Sequence, residues 1–233
     1  MTTESRPIPT APAPAMPAEV PAWRLLATLA FAGAAAGLLI VLAYIWTRPP
    51  IERHRANALR AAIEEVLRSP ARADTLYMVN GAIATQPPED AKPGSVERIY
   101  RGYDNEGRLA GYALVATQAG FADNIVVMFG WSFASGELLG IRVLSSKETP
   151  GLGDKIEKAP FTGQFPGALV PLRGVKDAAS KGGGDDRDAI IMVTGATISS
   201  RTVIKGINNA MERWKPLIAD FESRRVASGG GAL

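Results

Sequence analysis

The texture of apolar and polar positions changes three times along the chain. From Leu25 to Trp46 the only polar side chain is Thr28, and as a helix these 22 positions reach roughly 33 Å, enough for the hydrocarbon core of a bilayer. Trp23, Tyr44 and Trp46 sit near its ends, as interfacial aromatics do, and Arg24 and Arg48 close it. A cleaved signal peptide has an apolar core of only about 7–15 residues followed by small residues. Here the run is longer and ends in Tyr44-Ile45-Trp46. The pattern predicts an uncleaved transmembrane helix over 23–48, preceded by a Pro- and Ala-rich tail over 1–22 that reads as disordered.

After Pro49-Pro50, which reads as a break, Ala58, Leu59, Ala62, Ile63, Val66 and Leu67 recur at helical spacing. This predicts a juxtamembrane helix over 51–69, closed by Pro70. Beyond about residue 75 the period shortens. VERIYRGYDNEGRLAGYALVATQ reads as two strands around a turn at Asp104–Gly107, and NIVVMFGWSFASGELLGIRVLSS repeats the form around Ala134-Ser135-Gly136. An antiparallel meander of four or five strands follows from this. Lys176–Asp188 reads as a solvated loop, and Ala189–Val193 as a short strand. Val203, Ile204, Ile207, Ala210, Met211 and Trp214 then mark a helix that ends at Pro216, with Ser199 or Ser200 as its N-cap. The folded domain is bounded as 70–216, with a loose tail over 217–233. The expected class is α+β: one transmembrane helix, then an antiparallel sheet flanked by helices.

Composition removes several chemistries. There is no cysteine, so disulfides, cysteine nucleophiles and iron–sulfur ligation by this chain are excluded, and a lone His54 beside the apolar run supports neither a metal site nor a triad. The net charge of +3 comes from basic residues scattered along the chain, unlike a nucleic-acid footprint. The glycines of SKGGGDDRD are not followed by Gly-Lys-Ser/Thr and form no phosphate loop.

Two stretches carry candidate chemistry. VTGATISSRT, Val193–Thr202, lies between the last strand and the last helix. It reads either as a capped turn alone or as an anion site. Helix-start N–H groups attract phosphate, and Gly195 and Ala196 leave room for it. A self-activated Ser or Thr nucleophile is disfavoured, because no base accompanies it. KETPGLGDKIE, Lys147–Glu157, is a tight loop whose charged edges, together with Pro150 and Leu152, suit a polar heteroaromatic ligand.

A single N-terminal span, then ETPGLGDKIE, then TGATISSR at the entry to the last helix resembles the G subunit of the Rnf electron transport complex. More distantly it is similar to the C subunit of the sodium-pumping NADH:quinone reductase. The resemblance covers residues 25–215 and implies an FMN-binding domain. It implies an FMN joined by a phosphoester to Thr197, installed by a separate flavin transferase from FAD with a divalent metal. Thr194, Gly195, Ala196 and Ser199 would shape the phosphate site, while Glu148, Thr149, Gly151, Leu152 and Gly153 would line the flavin ring. Other membrane and iron–sulfur subunits would be partners, and this chain would carry electrons without conducting ions. The family places the flavin domain on the outer face of the bacterial inner membrane. The positive-inside count says the opposite: Arg48, Arg53, Arg55 and Arg60 outnumber Arg6 and Arg24. A membrane-anchored flavin sensor and a flavin-free structural subunit are the alternative readings.

Overall fold

The structure is a computed structural model that describes residues 21–88, 96–180 and 186–228. The disordered tail expected over 1–22 therefore lies almost wholly outside the described residues. The chain divides into two units, 1–53 and 54–233.

Helix α1 runs from Ala22 to Val66. In the first unit its apolar side chains are uncovered, Phe31 being 78% and Trp46 83% exposed. An uncovered apolar helix is what a bilayer, rather than water, accommodates. By length and composition this one can cross a membrane. The break expected at Pro49-Pro50 does not occur, for both prolines lie inside α1. Each removes one N–H donor. The Arg48 guanidinium reaches over them to Glu52 at 2.9 Å, one helical turn on.

In the second unit six strands form an antiparallel sheet of order β2-β1-β3-β4-β5-β6 among the described residues. They are β1 Arg72–Val79, β2 Ala82–Ala84, β3 Arg98–Tyr103, β4 Leu109–Ala119, β5 Asn124–Trp131 and β6 Leu138–Ser145. The turns at Asp104–Gly107 and Ala134–Gly136 fall between strands as the pattern predicts. The β1–β2 hairpin exceeds that prediction. It turns on Asn80-Gly81, both at positive φ, with Val79 opposite Ala82; this is the dipeptide that two-residue hairpin turns favour.

Both faces of the sheet are covered, so β4 and β5 are apolar on both. Tyr112, Leu114, Ala116, Val127, Phe129 and Trp131 join the main core with Ile204, Ile207 and Met211. The alternate positions Ala113 and Met128 pack with Ala62, Ile63, Val66 and Leu67 at the end of α1. The fit there is close: a Cβ on Gly130 would lie 2.0 Å from the Val66 carbonyl oxygen.

The remaining elements are a short 3-10 turn Gly153–Glu157, α2 Ala159–Thr162, the parallel pair β7 Arg173–Val175 and β8 Ala189–Ile191, and α3 Thr197–Ala227. Side-chain amides hold this region in register. Gln164 accepts from Ile191 N (2.7 Å) and donates to its carbonyl (3.1 Å). Asn208 on α3 does the same for Leu172, at 2.7 and 2.8 Å.

Two expectations about α3 are corrected. Ser199 and Ser200 are not its N-cap: Ala196 holds that position without a side-chain cap, and both serines lie buried in the first turn. Nor does the helix stop at Pro216, so the tail expected from 217 is helical to Ala227. Pro216 is exposed, where water can take the freed carbonyl. Beyond it Ile218 is fully buried, and Glu222 meets a buried ion pair. The Arg101 Nε donates to Glu222 Oε1 at 2.8 Å, Arg225 Nε donates to Oε2 at 3.1 Å, and the Tyr112 hydroxyl donates to Oε1 as well. Burial alone raises the Glu222 carboxyl; the Tyr112, Arg101 and Arg225 donors outweigh it and hold it below its ordinary value.

Candidate functional site

β8 ends two residues before the hydroxyl-rich turn. Gly195, at φ +83°, reverses the chain there, and an added Cβ would also press on Leu152 Cδ2 at 3.3 Å. After Ala196 the chain enters α3 at Thr197. The first N–H groups of a helix have no partner within it, and no side chain caps these. They form the positive end of a 31-residue helix.

The loop after β6 comes to the same place. Glu148, Thr149, Leu152, Gly153, Gly195, Ala196, Thr197 and Ser199 line one cavity of about 370 Å³. Eight of the ten residues singled out in the sequence thus share one wall. Thr194 and Gly151 do not line it; Thr194 is an exposed neighbour, and Gly151 supplies a positive-φ turn.

Sequence reasoning missed two lining residues, Phe121 and Ile198. Both are exposed, Phe121 at 70% and Ile198 at 53%, as is Leu152 at 49%. Large apolar groups left open around a cavity mark a ligand site better than scattered ones do. The signal in the sequence was Phe121 itself, an aromatic residue in a short turn between two strands, where burial is not available to it.

Glu148 brings a buried charge to this wall. Its Oε1 accepts from Phe121 N at 2.9 Å and Ala122 N at 3.0 Å, and its Oε2 accepts from the Ser199 hydroxyl at 2.5 Å. Burial alone raises the carboxyl. The Ser199 hydroxyl and the N–H groups of Ala122, Phe121 and Asp123 outweigh it, so the group lies below its ordinary value and is ionised at neutral pH.

The hydroxyls of the turn have distinct fates. Ser199 donates to Glu148, while Ser200 accepts from Val193 N at 3.1 Å. Thr202 donates to the Ala119 carbonyl at 3.2 Å. Thr197 is exposed, lines the cavity and begins the helix.

Comparison with known proteins agrees with this geometry. Residues 120–212 match the FMN-binding domain family, a span that contains the whole cavity. The G subunit of the ion-translocating oxidoreductase complex of Cereibacter sphaeroides is 33% identical over 181 residues, covering 75% of each chain. The chain belongs to the family of these Rnf G subunits. The Methanosarcina acetivorans member is 29% identical over 189 residues, covering 81% of this chain and 92% of that one. The match to the Shewanella baltica member is 40% identical but spans only 42% of that protein. Among solved structures, NqrC of Shewanella oneidensis shares the fold, with a TM-score of 0.57 at 15% identity over 72% of this chain and 99% of that one. The FMN-binding match supports FMN as the ligand class of the domain. The residues present fit such a group: uncapped N–H groups for a phosphate, and Phe121, Leu152 and Ile198 for an apolar ring.

Proposed function

We propose that this chain is the membrane-anchored, electron-carrying subunit of a multisubunit ion-translocating oxidoreductase, and that its FMN is attached by a phosphoester to Thr197. The observation that carries the attachment is the sorting of hydroxyls in the turn. Ser199 and Ser200 are buried and engaged. Thr194 is exposed but outside the cavity, whereas Thr197 is exposed, lines it and stands at the positive end of α3.

In the attachment step a flavin transferase brings FAD, with a divalent metal, to the turn. The Thr197 oxygen forms a bond to the FMN phosphorus, the pyrophosphate bond of FAD breaks, AMP leaves, and the transferase takes the hydroxyl proton. No base beside Thr197 is then required of this chain. The first N–H groups of α3 would hold the phosphate charge, and Gly195 would keep the approach open. Once bound, FMN supplies one-electron chemistry; the chain holds it in place and keeps it from dissociating. The partners are the other membrane and iron–sulfur subunits of the complex, and the domain lies on the outer face of the bacterial inner membrane.

Co-expression with a flavin transferase, followed by a denaturing gel under ultraviolet light, tests the attachment. The unaltered chain and Thr197→Ser fluoresce, and Thr197→Ala is dark. Undiminished fluorescence in Thr197→Ala overturns the assignment.

A further inference from the structure

Three segments far apart in sequence meet on one carboxylate. The turn after β4 supplies Phe121 N and Ala122 N, the first turn of α3 supplies the Ser199 hydroxyl, and Glu148 on the loop after β6 receives all three. Two glycines make room for it. A Cβ on Gly120 would lie 2.6 Å from Glu148 Oε1, and one on Gly153 would lie 2.6 Å from Glu148 Cβ and 2.9 Å from Oε2. Neither contact is sterically possible, and in the Gly120 case the Asp123 carbonyl blocks relief at 2.7 Å. Gly120, Glu148, Gly153 and Ser199 therefore specify one another.

The family resemblance suggests that Glu148 touches the flavin ring. Glu148 lines the cavity, and its oxygens also accept from donors of its own chain, two on Oε1 and one on Oε2. We propose that Glu148 is a positioning residue: by holding Ser199 it fixes the first turn of α3, so that Thr197 meets the transferase in one orientation. Through the N–H of Phe121 it also sets the aromatic wall of the cavity. This rests on the attachment to Thr197 proposed above. Without the carboxylate, two backbone N–H groups and a hydroxyl lose their acceptor, and the turn samples orientations in which Thr197 misses the phosphorus. Small misplacements of a reacting group cost large factors in rate.

The test uses the purified full-length chain in detergent with a flavin transferase and FAD, and follows initial rates of flavin incorporation. Glu148→Ala is expected to lower the turnover of labelling by on the order of 10-fold or more, while the KM for FAD stays unchanged. Gly153→Ala should match it, because it evicts the same carboxylate. Glu148→Gln should fall between, since its amide oxygen still serves Phe121 and Ala122 while its NH2 cannot accept from Ser199. Leu76→Ala, a destabilising change in the core of β1, is the control for general loss of stability. Labelling of Glu148→Ala at the unaltered rate overturns the proposal, as does an equal loss in Leu76→Ala at matched thermal stability. If the unaltered chain takes no label, the attachment reading fails and this one with it. If the unaltered chain labels at Thr197 and Glu148→Ala does so equally, this one fails alone.

Discussion

At the scale of single residues, two buried carboxylates do different work from the same physics. Glu222 and Glu148 are both held below their ordinary pKa by donors that outweigh burial. A carboxyl with a depressed folded pKa contributes stability that is complete above the unfolded value, about 4.3 for Glu, and is lost as pH falls through the folded value. Urea midpoints should therefore hold from pH 7 to about pH 5 and fall below that, and the fall should be shallower in Glu222→Gln. Breaking the buried pair from the other side is costlier. Arg101→Ala takes from Glu222 one side of its buried ion pair, which should cost about 3–5 kcal/mol at neutral pH. The double variant Arg101→Met/Glu222→Leu should recover most of that in the same denaturation assay. Thr197 and Glu148 are legible in the sequence through the motifs TGATISSR and ETPGLGDKIE, whose family resemblance marks them; on the residues alone each stretch also reads as a plain turn. Phe121 and Ile198 are not legible, because an apolar letter looks the same whether it faces a core or lines an open cavity.

At the scale of elements, local signals are reliable where a turn residue has one geometric use and fail where burial overrules them. Asp104–Gly107 and Ala134–Gly136 sit where the pattern predicts, because Gly107 and Gly136 supply the positive φ those turns need. Pro49, Pro50 and Pro216 read as stops, yet each lies inside a helix. For α3 the penalty of about 3 kcal/mol for an interior proline is offset by burying Ile218 and by the pairing of Glu222 with Arg101. The serines mislead in the opposite sense. They look like caps, but Ala196 takes that place and their hydroxyls serve Glu148 and Val193. Such long-range partners are invisible to spacing. The seat of Val66 on the sheet gives a sharp check: Gly130→Ala drives a Cβ into the Val66 carbonyl, and should lower the unfolding free energy by about 3 kcal/mol in chemical denaturation.

At the scale of the whole molecule, the α+β class follows from the sequence because its periods change cleanly, from unbroken apolar to helical to alternating. What the sequence hides is that the sheet is covered on both faces. That makes β5 a continuous apolar run and blurs the alternation expected of a one-sided sheet. The exposed apolar half of α1 predicts that the chain sediments with membranes, resists alkaline carbonate and needs detergent for release. For the side of the membrane, a C-terminal phosphatase fusion active only outside the cytoplasm should be active. Inactivity would instead support the basic residues after Trp46 as the cytoplasmic flank.

Helix α3 follows every described strand in chain order, yet it supplies one wall of the main core and the first turn of the cavity. A growing chain can therefore complete those strands and still lack the cavity, since Tyr112, Leu114 and Phe129 await the helix that covers them. Under the attachment proposed at Thr197, labelling would then be a step that only finished protein can undergo. A flavin transferase would then meet a folded surface rather than a nascent peptide, and a chain that has failed to close its core would stay without its cofactor.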